Sequence, residues 1–225
     1  MFTGLVEAVG VVRDIQQVRS ADGAAGATMR VECPWSDLVL GESIAVSGVC
    51  LSVTTMVAGG FTCDASAETL AKTTLGTLVR PGAEVHLERA MRAGDRMGGH
   101  VVSGHVDGIG RVAAKSPLGD ALKMDFEVPA MLARFLAPKG SITVDGISLT
   151  INGAAGTRFD VVLVPITREH TRLDRKDVGA PVNLEVDVLA KYVARLLGHP
   201  GVDGAPPENP EGGVSLEQLG RAGYL

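Results

Sequence analysis

The sequence predicts an all-β fold of two tandem, homologous Greek-key barrels followed by a C-terminal helix, and three observations carry that prediction. First, the chain repeats itself: Ser43-Ile44-Ala45-Val46-Ser47-Gly48-Val49-Cys50-Leu51-Ser52-Val53 returns as Ser141-Ile142-Thr143-Val144-Asp145-Gly146-Ile147-Ser148-Leu149-Thr150-Ile151. The copies lie about a hundred residues apart, the size of a small domain rather than of a solenoid unit. Second, short apolar/polar alternations broken by Gly and Pro fill both halves, with Val, Ile, Leu and Ala carrying the apolar load, aromatics at 4% and 29 glycines. Third, a single helical stripe comes last.

Other landmarks keep the same offset within a residue or two. Thr3-Gly4-Leu5-Val6-Glu7 reappears as Ser103-Gly104-His105-Val106-Asp107, Thr69, Thr73 and Leu75 return as Thr167, Thr171 and Leu173, and Gly82–Glu88 returns as Gly179–Glu185. The domain plan is therefore residues 1–97 and 98–187 as two barrels, 188–198 as a helix and 199–225 as a flexible tail.

Taken in order, Phe2–Val12 reads as a strand, Ser20–Gly26 as a hairpin loop and Met29–Cys33 as a second alternation. Pro34–Leu38 reads as a short helical turn leading into the first signature strand, where Val49, Leu51 and Val53 face one way and Cys50 and Ser52 the other. Gly59-Gly60 marks a hairpin turn, Phe61–Ala65 a strand, Glu68–Leu75 a short helix or turn, and Val85–Arg89 the closing strand. The second half repeats the plan: Met131–Phe135 stands where Ser36 and Leu38 did, Gly153–Arg158 is a turn and Phe159–Val164 a strand.

In the final helix Leu189, Tyr192, Val193, Leu196 and Leu197 share one face, Asp187 is the N-cap, and Gly198-His199-Pro200-Gly201 ends it. Its stripe must be buried on its own domains or on a partner subunit, and a partner is favoured. Gly201–Gly213 has a disordered composition, and Ser215-Leu216-Glu217-Gln218 carries a capping-box pattern.

The net charge of −5, with no basic stripe and few aromatics, argues against nucleic-acid binding. Cys33, Cys50 and Cys63 lack metal-ligand spacing and read as free thiols of a reducing compartment. No stretch approaches the roughly 20 apolar residues of a membrane span, and the N-terminus has no secretory pattern, so a cytoplasmic protein without membrane contact is expected.

The chemistry falls on the duplicated faces. Each signature strand turns small hydroxyls or a thiol away from its apolar side, and two such faces brought together across a domain or subunit boundary would make one cavity with approximate two-fold symmetry. Between the halves, Gly98-Gly99-His100-Val101-Val102-Ser103-Gly104-His105-Val106-Asp107-Gly108 carries two histidines five apart, on opposite sides of a predicted strand and so not a matched metal pair. A histidine beside a polar cavity suits proton transfer. The glycines serve either close backbone approach to a flat ligand or turn geometry.

These residues together resemble the riboflavin synthase family of the two-barrel, alpha-chain type: Met1–Glu7, Gly48–Val53, Gly98–Gly108 and Lys139–Thr150 match its motifs in order, and the likeness runs from Met1 to about Leu197. The resemblance implies two six-stranded barrels and a C-terminal helix that assembles a homotrimer. It further implies an active site between the N-barrel of one subunit and the C-barrel of another. The implied reaction is a dismutation of two 6,7-dimethyl-8-ribityllumazine molecules, one giving a four-carbon unit to the other, to yield riboflavin and 5-amino-6-ribitylaminouracil. Neither metal nor other cofactor is required. Holding two rings face to face can contribute about 7–11 kcal/mol in favourable cases.

Carried over by position, the N-barrel pocket would use Gly4, Leu5, Val6, Ser43, Cys50, Leu51, Ser52 and the run Asp64, Ala65, Ser66, Ala67, Glu68, Thr69. The C-barrel pocket would use Gly104, His105, Val106, Lys139, Ser148, Leu149, Thr150 and the run Val164, Pro165, Ile166, Thr167, Arg168, Glu169. His105 and Thr150 are assigned proton transfer at a ring methyl, with Ser148 in the catalytic set. Ser43 or Cys50 is assigned addition of a nucleophile to the other ring, and Asp187 a place at the subunit boundary. Ser47 and Ser52 stand where the family usually has Asn and Thr, which keeps its lumazine- or flavin-binding antenna proteins as the alternative reading. Those typically have an eroded second site, whereas both copies here keep a complete hydroxyl or thiol pair.

Overall fold

The structure, a computed structural model, describes residues 1–19, 25–78 and 80–198. The first repeat forms six strands: β1 (Ala8–Arg19), β2 (Ala25–Glu32), β3 (Ser43–Val46), β4 (Val49–Val57), β5 (Gly60–Ala65) and β6 (Glu84–Arg89). Antiparallel ladders close them into a barrel in the order β1-β2-β5-β4-β3-β6. Helices α1 (Ala67–Lys72) and α2 (Leu75–Leu78) lie between β5 and β6.

The second repeat is a seven-stranded sheet of β7 (Gly108–Leu118), β8 (Ala121–Glu127), β9 (Ser141–Val144), β10 (Ile147–Thr150), β11 (Gly153–Ala155), β12 (Arg158–Leu163) and β13 (Pro181–Val186). A helix α3 (Pro165–His170) follows β12, and α4 (Val188–Leu196) follows β13. The extra strand has a simple origin. β4 runs unbroken through a register shift between Val53 and Thr55, whereas its counterpart is interrupted at Ile151 and Asn152 and appears as β10 and β11. These two pieces are the ends of the sheet order β10-β9-β13-β7-β8-β12-β11, so the sheet is a curled half-barrel rather than a second closed ladder. The Asn152 amide, donating to the Asp160 carbonyl at 2.9 Å, spans the gap.

The alternation sorts side chains as the sequence predicts. Val49, Leu51 and Val53 are buried while Ser52 is exposed, and Ile147, Leu149 and Ile151 are buried while Thr150 is exposed. Each repeat has its own core, one around Met29, Ile44, Phe61 and Leu87, the other around Met124, Ile142 and the stacked pair Phe126 and Phe159, whose centroids are 5.2 Å apart.

Several sequence expectations are corrected. Each signature stretch is a two-strand hairpin, not one strand, because Ser47 (φ 45°) and Gly48, like Asp145 (φ 48°) and Gly146, have the positive φ values of a type I′ turn. The first strand starts at Ala8, not Phe2, and the segment with His100 and His105 is not a strand; both runs spend their amides on carboxylates, described below, rather than on a ladder. Pro34–Leu38 is a series of bends rather than a helical turn, held by the Asp37–Arg89 ion pair (2.8 Å) with the guanidinium 5.8 Å from the Trp35 ring. Most of the predicted loop at 20–26, the end of the Gly198–Gly201 stop, the linker 201–213 and the Ser215–Gln218 pattern lie outside the described residues.

The two repeats lock together about an approximate two-fold axis. Phe2 and Val102 exchange backbone hydrogen bonds of 2.8 and 3.1 Å across it. Asn183 on β13 donates its amide to the Ser47 carbonyl (2.9 Å) and accepts from the Thr74 amide (2.8 Å). His86, at the matching place on β6, makes the same two bonds from the first repeat to the second: Nε2 accepts from the Arg172 amide (2.8 Å), which leaves Nδ1 to carry the hydrogen and donate to the Asp145 carbonyl (3.0 Å). Even the turns correspond, since Ser47 Oγ accepts from the His86 amide and Asp145 Oδ1 from the Asn183 amide.

A neutral imidazole is therefore built into the lock. Burial pulls the His86 pKa below its ordinary value, against the opposing pull of Asp145, while Lys176 and Arg172 push the same way as burial. Because the folded pKa is depressed, the stabilisation is complete above about pH 6.5 and is lost as pH falls through the folded-state value. His86→Asn, which copies Asn183, should cost less than about 2 kcal/mol at neutral pH. Urea unfolding at stepwise lower pH should show the wild type losing stability relative to this variant; a constant difference would remove His86 as a titrating element.

Candidate active site

Two pockets, one beside each sheet, are built from matching pieces. The N-barrel pocket, about 310 Å³, lies between Cys50 on β4, Thr69 and Thr73 of the α1 segment, and Gly104 to Val106. The C-barrel pocket, about 240 Å³, lies between Ser148 on β10, Thr167 and Thr171 of the α3 segment, and Gly4 to Val6. Each is therefore completed by the other repeat's leading segment. The sequence reading grouped Gly4, Leu5 and Val6 with the N-barrel and Gly104, His105 and Val106 with the C-barrel; the chain crosses over, and the groups are exchanged.

Backbone contact makes the exchange obligatory. The Ser148 amide donates to the Gly4 carbonyl (2.7 Å), and the Cys50 amide to the Gly104 carbonyl (2.8 Å). Gly4 (φ 77°) and Gly104 (φ 79°) sit so close that an added Cβ would lie 2.6 Å from the Cβ of Ser148 or Cys50.

A buried glutamate holds each crossing segment. Glu88 Oε1 accepts from the Thr3 amide (2.6 Å) and hydroxyl (2.8 Å), and Oε2 from the Gly4 amide (3.0 Å). Glu185 repeats this with the Ser103 amide (2.7 Å), its hydroxyl (2.6 Å) and the Gly104 amide (3.0 Å). Burial pushes both carboxyls above the usual range, and the three donors at each pull in the other direction. Sequence reasoning missed Glu88, Glu185, His86 and Asn183; their one signal was recurrence in the duplicated Gly82–Glu88 and Gly179–Glu185 segments.

The helices beside the pockets also match. Thr73 and Thr171 hydroxyls donate back to the Thr69 and Thr167 carbonyls at 2.6 and 2.7 Å. Ser66 caps α1 by accepting from the Thr69 amide (3.1 Å), while α3 starts with Pro165 after Val164. The linings differ in polarity: Glu68, paired with Lys72 at 3.1 Å, stands in the first pocket where Ile166 stands in the second, and His105 takes in the first the place that Leu5 has in the second.

Of the sequence-predicted residues, Cys50, Glu68, Thr69, Gly104, His105 and Val106 meet in the first pocket, and Gly4, Leu5, Val6, Ser148, Ile166 and Thr167 in the second. His105 and Thr150 both belong to the second repeat, but His105 lines the N-barrel pocket while Thr150, on β10, lines neither, so the two do not meet in one pocket of a single chain. Leu51, Ala65 and Leu149 point into the cores. Asp64 accepts from the Thr28 hydroxyl (2.6 Å), Arg168 donates to the Asp120 carbonyl (3.0 Å) and pairs with Asp174 (3.4 Å), and Asp187 caps α4 through the Leu189 amide (2.9 Å). Lys139 occupies a left-handed position (φ 67°) ahead of β9, and Ala67, Pro165 and Glu169 are exposed helix positions. Ser43 lies opposite Ser52, and Ser141 opposite Thr150, on the outer faces of the two hairpins that also carry Cys50 and Ser148. Ser47 is in neither pocket; it is the turn residue at the lock. His100, absent from the predicted set, places Nδ1 2.7 Å from Ser148 Oγ.

This geometry has relatives. The lumazine binding domain model matches residues 3–90 and again 103–187. The riboflavin synthase of Mycobacterium tuberculosis is 48% identical over 205 residues, covering 89% of this chain and all of that protein. Those of Actinobacillus pleuropneumoniae and Bacillus subtilis are 40% and 41% identical, the first over the full length of both chains, the second over 88% of this chain and 90% of its own. Among solved structures, LumP complexed with riboflavin and LumP complexed with 6,7-dimethyl-8-(1'-D-ribityl) lumazine superpose with TM-scores of 0.74 and 0.72 at 21% identity, covering 83% of this chain and 99% of theirs, a likeness of fold. With two lumazine-binding repeats in tandem and this identity over nearly its whole length, the chain belongs to the riboflavin synthase family.

Proposed function

We propose that this enzyme converts two molecules of 6,7-dimethyl-8-ribityllumazine into riboflavin and 5-amino-6-ribitylaminouracil, and that it works in the cytoplasm with residues 1–97 and 98–187 as its two lumazine-binding domains. The observation that carries the reading is the pair of matching pockets, each with a strand hydroxyl or thiol, a helix threonine and a glycine-backed wall from the other repeat. Two similar pockets suit two copies of one flat ligand. Free Cys33, Cys50 and Cys63 fit a reducing compartment, and no helix among the described residues is long and apolar enough to cross a membrane.

The outer hairpin faces with Ser43, Ser52 and Thr150 are open in a single chain, and a neighbouring subunit would cover them. α4 offers the means. Its small residues Ala190 and Ala194 pack on the second core, while Tyr192 and Leu196 are 64% and 78% exposed on the outward face. A homotrimer joined through this helix would set the N-barrel pocket of one subunit against the C-barrel pocket of the next, bringing His105 and Thr150 together. His105 and Thr150 then move a proton at a ring methyl, Ser43 or Cys50 assists addition to the other ring, Lys139 contacts substrate on the C-barrel side, and Asp187 stands at the boundary. Stacking two bound rings in register contributes by orientation, up to about 7–11 kcal/mol in favourable cases.

Purified protein mixed with 6,7-dimethyl-8-ribityllumazine under nitrogen should form one riboflavin for every two lumazines consumed, and His105→Ala should lower kcat about 100-fold with little change in affinity. Saturable binding without product would favour the antenna reading instead. Replacing Leu196 by Glu should convert a trimer into monomers by light scattering; an unchanged mass would take α4 out of the assembly.

A further inference from the structure

Resting on the dismutation reading, the chemistry asks for more than one proton acceptor. A four-carbon unit that closes a new ring onto a lumazine must bond both of that lumazine's methyl carbons, so both methyls lose protons. His105 serves one of them in the scheme above.

We propose that His100 is a positioning residue for this reaction, acting through Ser148 as the proton acceptor of a two-member relay on the wall of the C-barrel pocket. The placement is tightly built. The His100 amide donates to the Thr3 carbonyl (3.2 Å), and Gly99 passes so close that a Cβ there would lie 2.0 Å from that carbonyl and 3.0 Å from Ser148 Oγ. The imidazole is thereby set with Nδ1 2.7 Å from Ser148 Oγ, and Ser148 lines the pocket. The other ring nitrogen, Nε2, is buried with no hydrogen-bond partner among the described residues, a costly state for a group serving only as filler.

Among the described residues, the charged groups around it are few. Asp187, the α4 cap, pulls the His100 pKa up, but burial is the larger effect and pulls it down, so the ring is a neutral base at neutral pH. His170 on α3 lines the same pocket, and Glu88 holds the Thr3 segment on which the His100 amide rests. In the relay a methyl C–H of the bound lumazine breaks as its proton passes to Ser148 Oγ. The Ser148 O–H breaks as that proton passes to Nδ1, forming imidazolium, and the electron pair stays on the lumazine.

The test measures kcat for riboflavin formation against pH, together with lumazine affinity, in the wild type, His100→Asn, Ser148→Ala and the double variant. His100→Asn keeps a polar group facing Ser148 but takes up no proton. The relay predicts kcat about 100-fold lower in each single variant, affinity within about threefold, loss of the acid-side fall in kcat, and a double variant no worse than either single one. Wild-type kcat with the acid limb intact in His100→Asn overturns it, as does a double variant whose loss is the product of the two. Loss of lumazine binding in both single variants overturns it too, by making the pair structural. A wild-type protein that binds lumazine and forms no riboflavin fails the parent reading, a result read before any variant is compared.

Discussion

Two buried carboxylates govern this molecule. Glu88 and Glu185 each gather two amides and a hydroxyl from a segment that would otherwise have no ladder to join, and each segment then lies across the other repeat's signature strand. Without that attachment Gly4 would have no reason to lie on Ser148, nor Gly104 on Cys50, and both pockets would lack a wall. The arrangement is costly for an isolated carboxylate in a dry place, and burial does push both groups toward protonation. Three donors at each site compensate, and ionisation keeps all of them satisfied.

Reciprocity at the axis explains how one sequence pattern came to tolerate unlike residues. His86 and Asn183 present a donor and an acceptor in equivalent places, and Ser47 and Asp145 each offer a side-chain oxygen to the backbone amide opposite. Ser47 therefore departs from the usual Asn as a turn and interface residue. It supplies an acceptor and holds a positive φ, and its effect on ligand contacts is indirect. The pockets diverge in the same measured way, with Cys50 for Ser148 and His105 for Leu5 on a shared backbone. One frame thus carries two chemically different walls, as a reaction that treats two identical molecules differently requires.

The sequence makes some layers legible and hides others for a physical reason. Duplication, strand alternation and the capped final helix are written in neighbouring residues, and Leu51, Leu149 and Asp187 stand where that pattern places them. The crossing of Gly4 and Gly104 is not local, because it depends on how two finished sheets meet. His86 and Glu88 alternate with Val85 and Leu87 and so read as the solvent side of an ordinary strand, yet they are 4% and 5% exposed because the other repeat covers them. The break at Ile151 and Asn152 likewise has no composition signal beyond Asn152-Gly153, which also suits a turn.

The most direct test of this account removes one carboxylate. Glu185→Gln keeps one carbonyl oxygen for Ser103 but sets an amide NH₂ against the Gly104 N–H, an unmade bond worth about 1–3 kcal/mol. Fluorescence titration with 6,7-dimethyl-8-ribityllumazine should show the N-barrel pocket weakened by about tenfold or more while the C-barrel pocket keeps its affinity. Equal weakening of both pockets, or of neither, would contradict the claim that each pocket is completed by a segment clamped on the other repeat.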